Sequence, residues 1–299
     1  GYDRRLALGA TAAGGTLGIL IPPSIAMILY GVITETSIGA LFMAGLLPGI
    51  MMAALLSLTI ILIVLRRPET APKLTGTVSR AERWRALRAV VPVLMLAFLV
   101  LGSIYFGVAT PTEAGAVGAA GALAIAAASR ALSIETIGRI LGNTVRTTAM
   151  FMLLLIGGLF SAYVLARMGV PQGMANLLIG LDIPPWLIVV LINLLLMVLG
   201  MFLDPMSVLV IMVPIFFPAI LAMGYDPVWF GVLVTINIEI AAISPPVGFN
   251  LFVLKSVIPD TDLVDVIRGS MIFIVPLALG ILLLIAFPEI ALFLPSLLR

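Results

Sequence analysis

Long apolar runs separated by short polar intervals organise this chain. A run of about 20 mostly apolar residues crosses a bilayer as a helix, and such runs stand at residues 5–33, 38–65, 89–106, 112–128, 149–166, 225–257 and 271–287. Residues 133–146 mix polar and apolar positions, the pattern of a helix lying along the membrane surface. Two further apolar runs, 185–203 and 208–223, meet at Asp204-Pro205-Met206-Ser207. That pattern predicts a re-entrant hairpin, whose polar tip must be buried in protein or face a water-filled cavity. Residues 66–88 are polar and proline-bearing and read as a loop between halves, and 259–268 as a shorter polar loop. The expected blocks are 1–65, a linker at 66–88, scaffold-type spans with the surface helix at 89–148, and a second repeat at 149–299.

Two runs are interrupted internally, and in the same way. Gly1-Tyr2-Asp3 is followed by Pro22-Pro23, and Gly224-Tyr225-Asp226 by Pro245-Pro246, each pair starting 21 residues after its glycine. Adjacent prolines remove two amide donors and clash with the preceding turn, so each predicts a broken helix. Broken membrane helices at matching positions of two repeats point to the central site of a secondary transporter. The first break is expected at 14–24, with proline at the first position of the restarted helix and Ser24 in its first turn. Exposed amides and the positive end of the helix dipole there attract an anion. Carbonyls freed on the other side suit a hard cation such as Na⁺. In the second break, Ser244 and Asn250 offer side-chain oxygens and Gly248 permits close approach.

A carboxylate at membrane depth is costly and marks function by default. Asp204 is the leading case, able to bind a cation, take a proton or position substrate, or to cap the returning helix with help from Ser207. Glu239 lies inside the second broken run near Asn237, either facing a cavity or partnering another polar residue. Glu113, in Thr110-Pro111-Thr112-Glu113, reads as a helix-start residue. Asp3 and Asp226 read as caps of helix starts.

Composition sharpens the class. Hydrophobic residues make up 62% and charged residues 10% of the 299, against about 45–50% and about 25% in soluble domains. The chain is therefore an all-α polytopic membrane protein. It contains no cysteine and no histidine, which excludes disulfides, thiolate chemistry and histidine metal or proton sites. Nucleotide-binding and hydrolase motifs are missing, so neither ATP-driven transport by this chain nor an enzyme is expected. No basic face suggests nucleic acid. With the first Gly-Tyr-Asp placed in the cytoplasm and 204–207 as a re-entrant tip, every basic residue except Arg167 and Arg299 falls inside, as the positive-inside rule requires. The two repeats are then inverted. The second repeat's polar tip precedes its Gly-Tyr-Asp by 20 residues; its counterpart would precede residue 1, so the sequence reads as a fragment lacking the first repeat's opening helices.

Taken together, GYDRR, GGTLGILIPPS, ATPTEAGAVGA, FLDPMS and EIAAISPPVGFNLFVLK resemble the large membrane subunit of TRAP transporters, over roughly its C-terminal two-thirds. The resemblance implies an elevator-type, Na⁺-coupled importer of organic acids in the bacterial inner membrane, with no organic cofactor. It implies two partners, a small four-helix membrane subunit and a periplasmic substrate-binding protein, and substrates such as C4-dicarboxylates, sialic acids or other sugar acids. It places Na⁺ ligands at Gly15, Thr16, Gly18 and Pro22 and at Ala241, Ser244, Pro245 and Gly248. Substrate contacts are expected from Pro23, Ser24, Asp204, Ser207 and Asn250. With the first tip upstream, one ion site would be incomplete. The competing readings are a binding-protein-independent Na⁺-coupled carboxylate or arsenite-type elevator carrier, a passive channel, and an intramembrane aspartyl protease built on Asp3 and Asp226.

Overall fold

Each repeat opens with an aspartate that caps a helix. The Asp3 carboxylate accepts the Leu6 amide at 2.8 Å and starts α1 (Arg4–Leu20); Asp226 accepts the Val228 amide at 2.7 Å and starts α10 (Pro227–Ala242). The computed structural model describes residues 2–72, 79–258 and 260–297. Gly1 of the first motif, Lys73 and the middle of the 66–88 linker, Pro259 and Arg299 lie outside the described residues. Thirteen α-helices and one 3-10 turn form the described fold.

The chain divides into two compact units, residues 1–72 with 154–299 and residues 73–153. In the first, both predicted broken spans are broken. α1 stops at Leu20 and α2 (Ile25–Thr34) resumes at a bend of 40°; α10 stops at Ala242 and α11 (Phe249–Val257) resumes after Gly248. Both double prolines are cis. The paired pieces match in length, 17 and 16 residues before the break and 10 and 9 after it. A long helix follows each, α3 (Ile38–Arg66) and α12 (Leu263–Ala286).

The two broken helices run in opposite directions. α1 packs parallel to α12: Arg5 pairs with Asp265 at 2.7 Å, and Gly9 lies against the Gly269 backbone so closely that a Cβ on either would collide with main chain. α10 packs antiparallel to α12, since Trp229 near its start donates from Nε1 to the Leu284 carbonyl at 2.8 Å near the end of α12. At the far end of α2, Tyr30 donates to the Pro227 carbonyl at 2.7 Å. At the other end, Arg4 donates to the Asp260 carbonyl at 2.5 Å and to Thr261 Oγ1 at 3.2 Å, and Lys255 donates to the Thr261 carbonyl. Arg4, Arg5 and Lys255 thus gather on one loop, as the re-entrant layout of the charges requires. Asp3 and Asp226 stand at opposite ends, which removes the protease reading.

α10 is the hub of this unit. Every residue from Val228 to Ala242 is buried, and the helix touches α1, α2, α3, α8 (Pro185–Gly200), α9 (Pro205–Ala222) and α12. α8 and α9 form the hairpin; at 16 residues α8 is about 24 Å long, short of the ~30 Å hydrocarbon layer. Two short helices were not anticipated, α7 (Val170–Ile179) beside α9 and α13 (Glu289–Ser296) beside α3. Glycine with positive φ at Gly169 and proline at the next helix start mark α7.

The second unit holds α4 (Arg80–Tyr105), α5 (Pro111–Ala128) and the start of α6 (Ile134–Arg167). α4 begins well inside the expected linker, because Ser79 and Glu82 form a capping box. Glu113 closes a second such box with Thr110, the capping role expected of it. The surface helix and span expected at 133–146 and 149–166 are instead one 34-residue helix: no proline or glycine stands between Arg146 and Phe151 to end it. Among the described residues six helices, α3, α4, α5, α6, α9 and α12, are long and apolar enough to cross a membrane.

Overpacking the α1–α12 contact tests this arrangement. Gly9→Val should lower stability by about 1–3 kcal/mol, read as thermal unfolding of the purified protein in detergent. Gly14→Ala, where a Cβ meets nothing within 4 Å, should instead be neutral or stabilising by up to about 1 kcal/mol.

Candidate functional site

The first break is narrower than its sequence suggests. Gly14, Gly15, Thr16 and Gly18 stay helical, and only Ile21–Ser24 leave the helix. Glycine weakens a helix by about 1 kcal/mol, whereas a proline removes the donor and clashes, so the break falls at the prolines. Ile21, ahead of Pro22, is extended with ψ 122°, as residues before proline prefer. Pro22 and Pro23 therefore sit in the linker, not in the first turn of α2, and Ser24 is the N-cap: its Oγ accepts the Met27 amide at 3.3 Å and donates to the Ile19 carbonyl. The carbonyls of Gly15 and Thr16 face amide donors within α1. Those of Gly18 and Ile19 lose theirs to Pro22 and Pro23. The Thr16 hydroxyl, fully buried, donates to the Ala13 carbonyl at 2.7 Å.

The second break repeats the chemistry. Ser244 is buried and its Oγ donates to the Ile240 carbonyl at 2.6 Å, while the Ala241 carbonyl accepts the Ser244 amide at 3.1 Å. Pro245 and Pro246 lie in the linker, and Gly248 turns the chain at φ +54°. The hairpin tip docks here: Val247 donates its amide to the Met201 carbonyl at 3.1 Å, and Gly200 abuts Ala241. At the tip, Asp204 caps α9, accepting the Met206 and Ser207 amides at 3.1 Å each and the Ser207 hydroxyl. No hydrogen bond among the described residues carries the tip to Pro23 or Ser24.

The breaks themselves meet. Glu239, one turn before the second break, reaches the Leu20 backbone at the end of α1. Leu20 and Ile21 are seated on α3, where Gly45 lies under the Leu20 carbonyl and Gly49 under the Ile21 side chain. Beyond the break, Asn250 on α11 and Gly15 on α1 line one open groove of about 290 Å³ with Thr11. The structure therefore joins Gly15 with Asn250, and Ala241 and the second break with the hairpin tip. It adds Gly45 and Gly49, whose GxxxG spacing is the sequence signal for close helix packing.

The family described as Tripartite ATP-independent periplasmic transporter, DctM component, matches residues 1–290. The chain belongs to the DctM family. The C4-dicarboxylate TRAP transporter large permease of Pseudomonas aeruginosa is 34% identical over 297 residues, covering 99% of this chain and 69% of that protein. The sialic acid TRAP transporter large permease of Vibrio cholerae is 36% identical over 298 residues, with coverage of 99% and 69%. The ectoine TRAP transporter large permease of Halomonas elongata is 36% identical over 300 residues, again with 99% and 69%. As a DctM-family permease the chain is a multi-pass inner-membrane transport protein, not an enzyme. It is one component of a tripartite system that includes a small membrane subunit and a periplasmic binding protein.

Capping and charge at the tip separate cleanly. Asp204→Ala should cost about 1 kcal/mol in thermal unfolding, whereas Asp204→Asn, an equally good N-cap, should keep stability within a few tenths of a kcal/mol.

Proposed function

We propose that this DctM-family permease carries an organic anion across the inner membrane by Na⁺-coupled secondary transport, on delivery by a periplasmic binding protein. The observation that carries the proposal is the contact between two broken helices of opposite direction, one from each repeat, with a hairpin tip docked on the second. Oppositely directed half-helices bring helix starts and freed carbonyls to one level, an arrangement suited to an anion and a hard cation together. Relatives named for C4-dicarboxylate and sialic acid transport support a carboxylate substrate.

The donor set fits sodium. Carbonyls of Gly18 and Ala242, whose fourth-residue amides are prolines, are hard neutral oxygens, and the hydroxyls of Ser24 and Ser244 stand at the same breaks. When bound, Na⁺ supplies positive charge and oxygen coordination that hold the unwound segments together. The positive end of α2 at Ser24, together with the side-chain amide of Asn250, is suited to orient an anionic substrate. Pro22-Pro23 and Pro245-Pro246 keep the breaks from closing into continuous helices. The block carrying the breaks then exposes them alternately to each side.

Uptake by the complete three-component system in proteoliposomes tests this. An inward Na⁺ gradient should drive accumulation of labelled C4-dicarboxylate or sialic acid, and choline in place of Na⁺ should abolish it. Accumulation independent of Na⁺ would defeat the coupling, and equal rates without the binding protein would favour the self-sufficient carrier.

A further inference from the structure

The first turns of α4 carry charge that nothing in the described protein answers. From Ser79 to Val91 every residue is exposed, and this stretch holds Arg80, Arg83, Arg85 and Arg88 around Trp84. The one acidic residue of α4, Glu82, is turned back on the cap, where its carboxylate accepts the Ser79 amide at 2.8 Å. Among the described residues none of the four arginines has an ion-pair partner. Arg88 instead lies over the Trp84 ring, 6.0 Å from its centroid, within reach of a cation–π contact.

The level of this cluster follows from the rest of the helix. Residues 89–105 carry no charge and at 1.5 Å per residue span about 26 Å, close to the ~30 Å hydrocarbon layer. The remaining first turns, about 13 Å, stand where the headgroups lie, and tryptophan favours the same level. α5 adds to the cluster. Val100 lies over Gly118 and Leu96 over Gly121, so α4 and α5 are antiparallel, and continuing that register brings Arg130 to the level of Arg88. The acid at this end, Glu135, sits in the first turn of α6.

We propose that Arg80, Arg83, Arg85 and Arg88, with Trp84 and Arg130, form a binding surface for anionic phospholipid headgroups on the cytoplasmic leaflet. The inference goes beyond the transport reading and does not depend on it. A guanidinium pairs with a phosphate through two parallel hydrogen bonds, and each basic side chain near an anionic surface adds about 1 kcal/mol of attraction. Orienting a span needs only an excess of positive charge on one side. Here the placement says more. At 3.6 residues per turn the four arginines cover more than half the circumference of α4, and Glu82 falls in the remaining gap. A protein partner would cover one side of such a helix, whereas a headgroup layer surrounds it. The apolar stretch holds α4 in the hydrocarbon, and the arginine belt fixes its height.

Thermal unfolding of the purified permease with its small membrane partner tests this, titrated in detergent with dioctanoyl phosphatidylglycerol, dioctanoyl phosphatidylcholine or glycerol 1-phosphate. Phosphatidylglycerol should stabilise the native protein at lower concentration than phosphatidylcholine, and added NaCl should weaken that preference. Arg88→Gln should raise the half-point for phosphatidylglycerol by about fivefold, and glutamine at all four positions by well over tenfold. Lysine at all four should keep most of the preference, since the charge remains. Arg167→Gln, at the last turn of α6, should leave it unchanged. Equal half-points for the two lipids, or an unchanged half-point in the fourfold glutamine variant, overturn the proposal. Stabilisation by glycerol 1-phosphate equal to that by phosphatidylglycerol would make this a small-anion site and overturn it too. A fourfold glutamine variant that keeps its lipid preference but no longer co-purifies with the small subunit would make the arginines a protein interface instead.

Discussion

Two pairs of adjacent prolines take four amide donors out of helices that lie in the interior of a membrane protein. Backbone polar groups at that depth must be answered within the protein, and most of the first unit's particulars are answers to that requirement. Both breaks use the serine next to the prolines, Ser24 on the Ile19 carbonyl and Ser244 on the Ile240 carbonyl. The second break borrows a partner from the hairpin, through the Val247 amide and the Met201 carbonyl. The first instead rests on the glycines of α3. What is left without a hydrogen-bond partner beside the second break is the carboxylate of Glu239.

The opposition of the two repeats follows from contacts at both ends of the molecule. Arg4, Arg5 and Lys255 close on residues 260–265, and Tyr30 closes on Pro227. Each broken helix thus ends where the other begins. Charge supports the same geometry, because basic side chains from both repeats gather at one end, as cytoplasmic groups do. The Arg5–Asp265 pair is exposed and contributes little to stability on its own. Its value is positional, since it fixes the register in which Gly9 and Gly269 cross.

Much of this was legible in the chain. The matched prolines gave both breaks and the aspartates after Gly-Tyr gave both caps, because proline and N-cap chemistry act within a few positions of their own place; the hairpin turn lies at 201–204, three residues before the expected tip, because Asp204 caps α9 and Pro205–Ser207 already belong to it. The errors share a cause too. The 133–146 segment was set apart by its polarity, yet polarity does not end a helix, so α6 runs through it. α4 began early because a capping box outweighs a charged stretch. α7 and α13, at 10 and 8 residues, are too short for a periodic signal and form against neighbouring helices. Glu239 was placed in the right span, but its orientation toward the first break is a matter of tertiary register that no local pattern encodes.

The glycines of α1 are the instructive case. Gly14, Gly15 and Gly18 suggest unwinding by their flexibility, but the helix holds through them, and a Cβ at any of the three would meet nothing within 4 Å. Their contribution is space. Gly15 borders the groove shared with Thr11 and Asn250, where side chains would fill the volume between α1 and α11. Gly9, one and a half turns earlier, does the opposite and lets α1 press on the backbone of α12. One helix thus uses glycine first for contact and then for clearance. The clearance lies beside Asn250, on the half-helix that follows the second break, so the open volume of the first repeat is bordered by a polar side chain from the other.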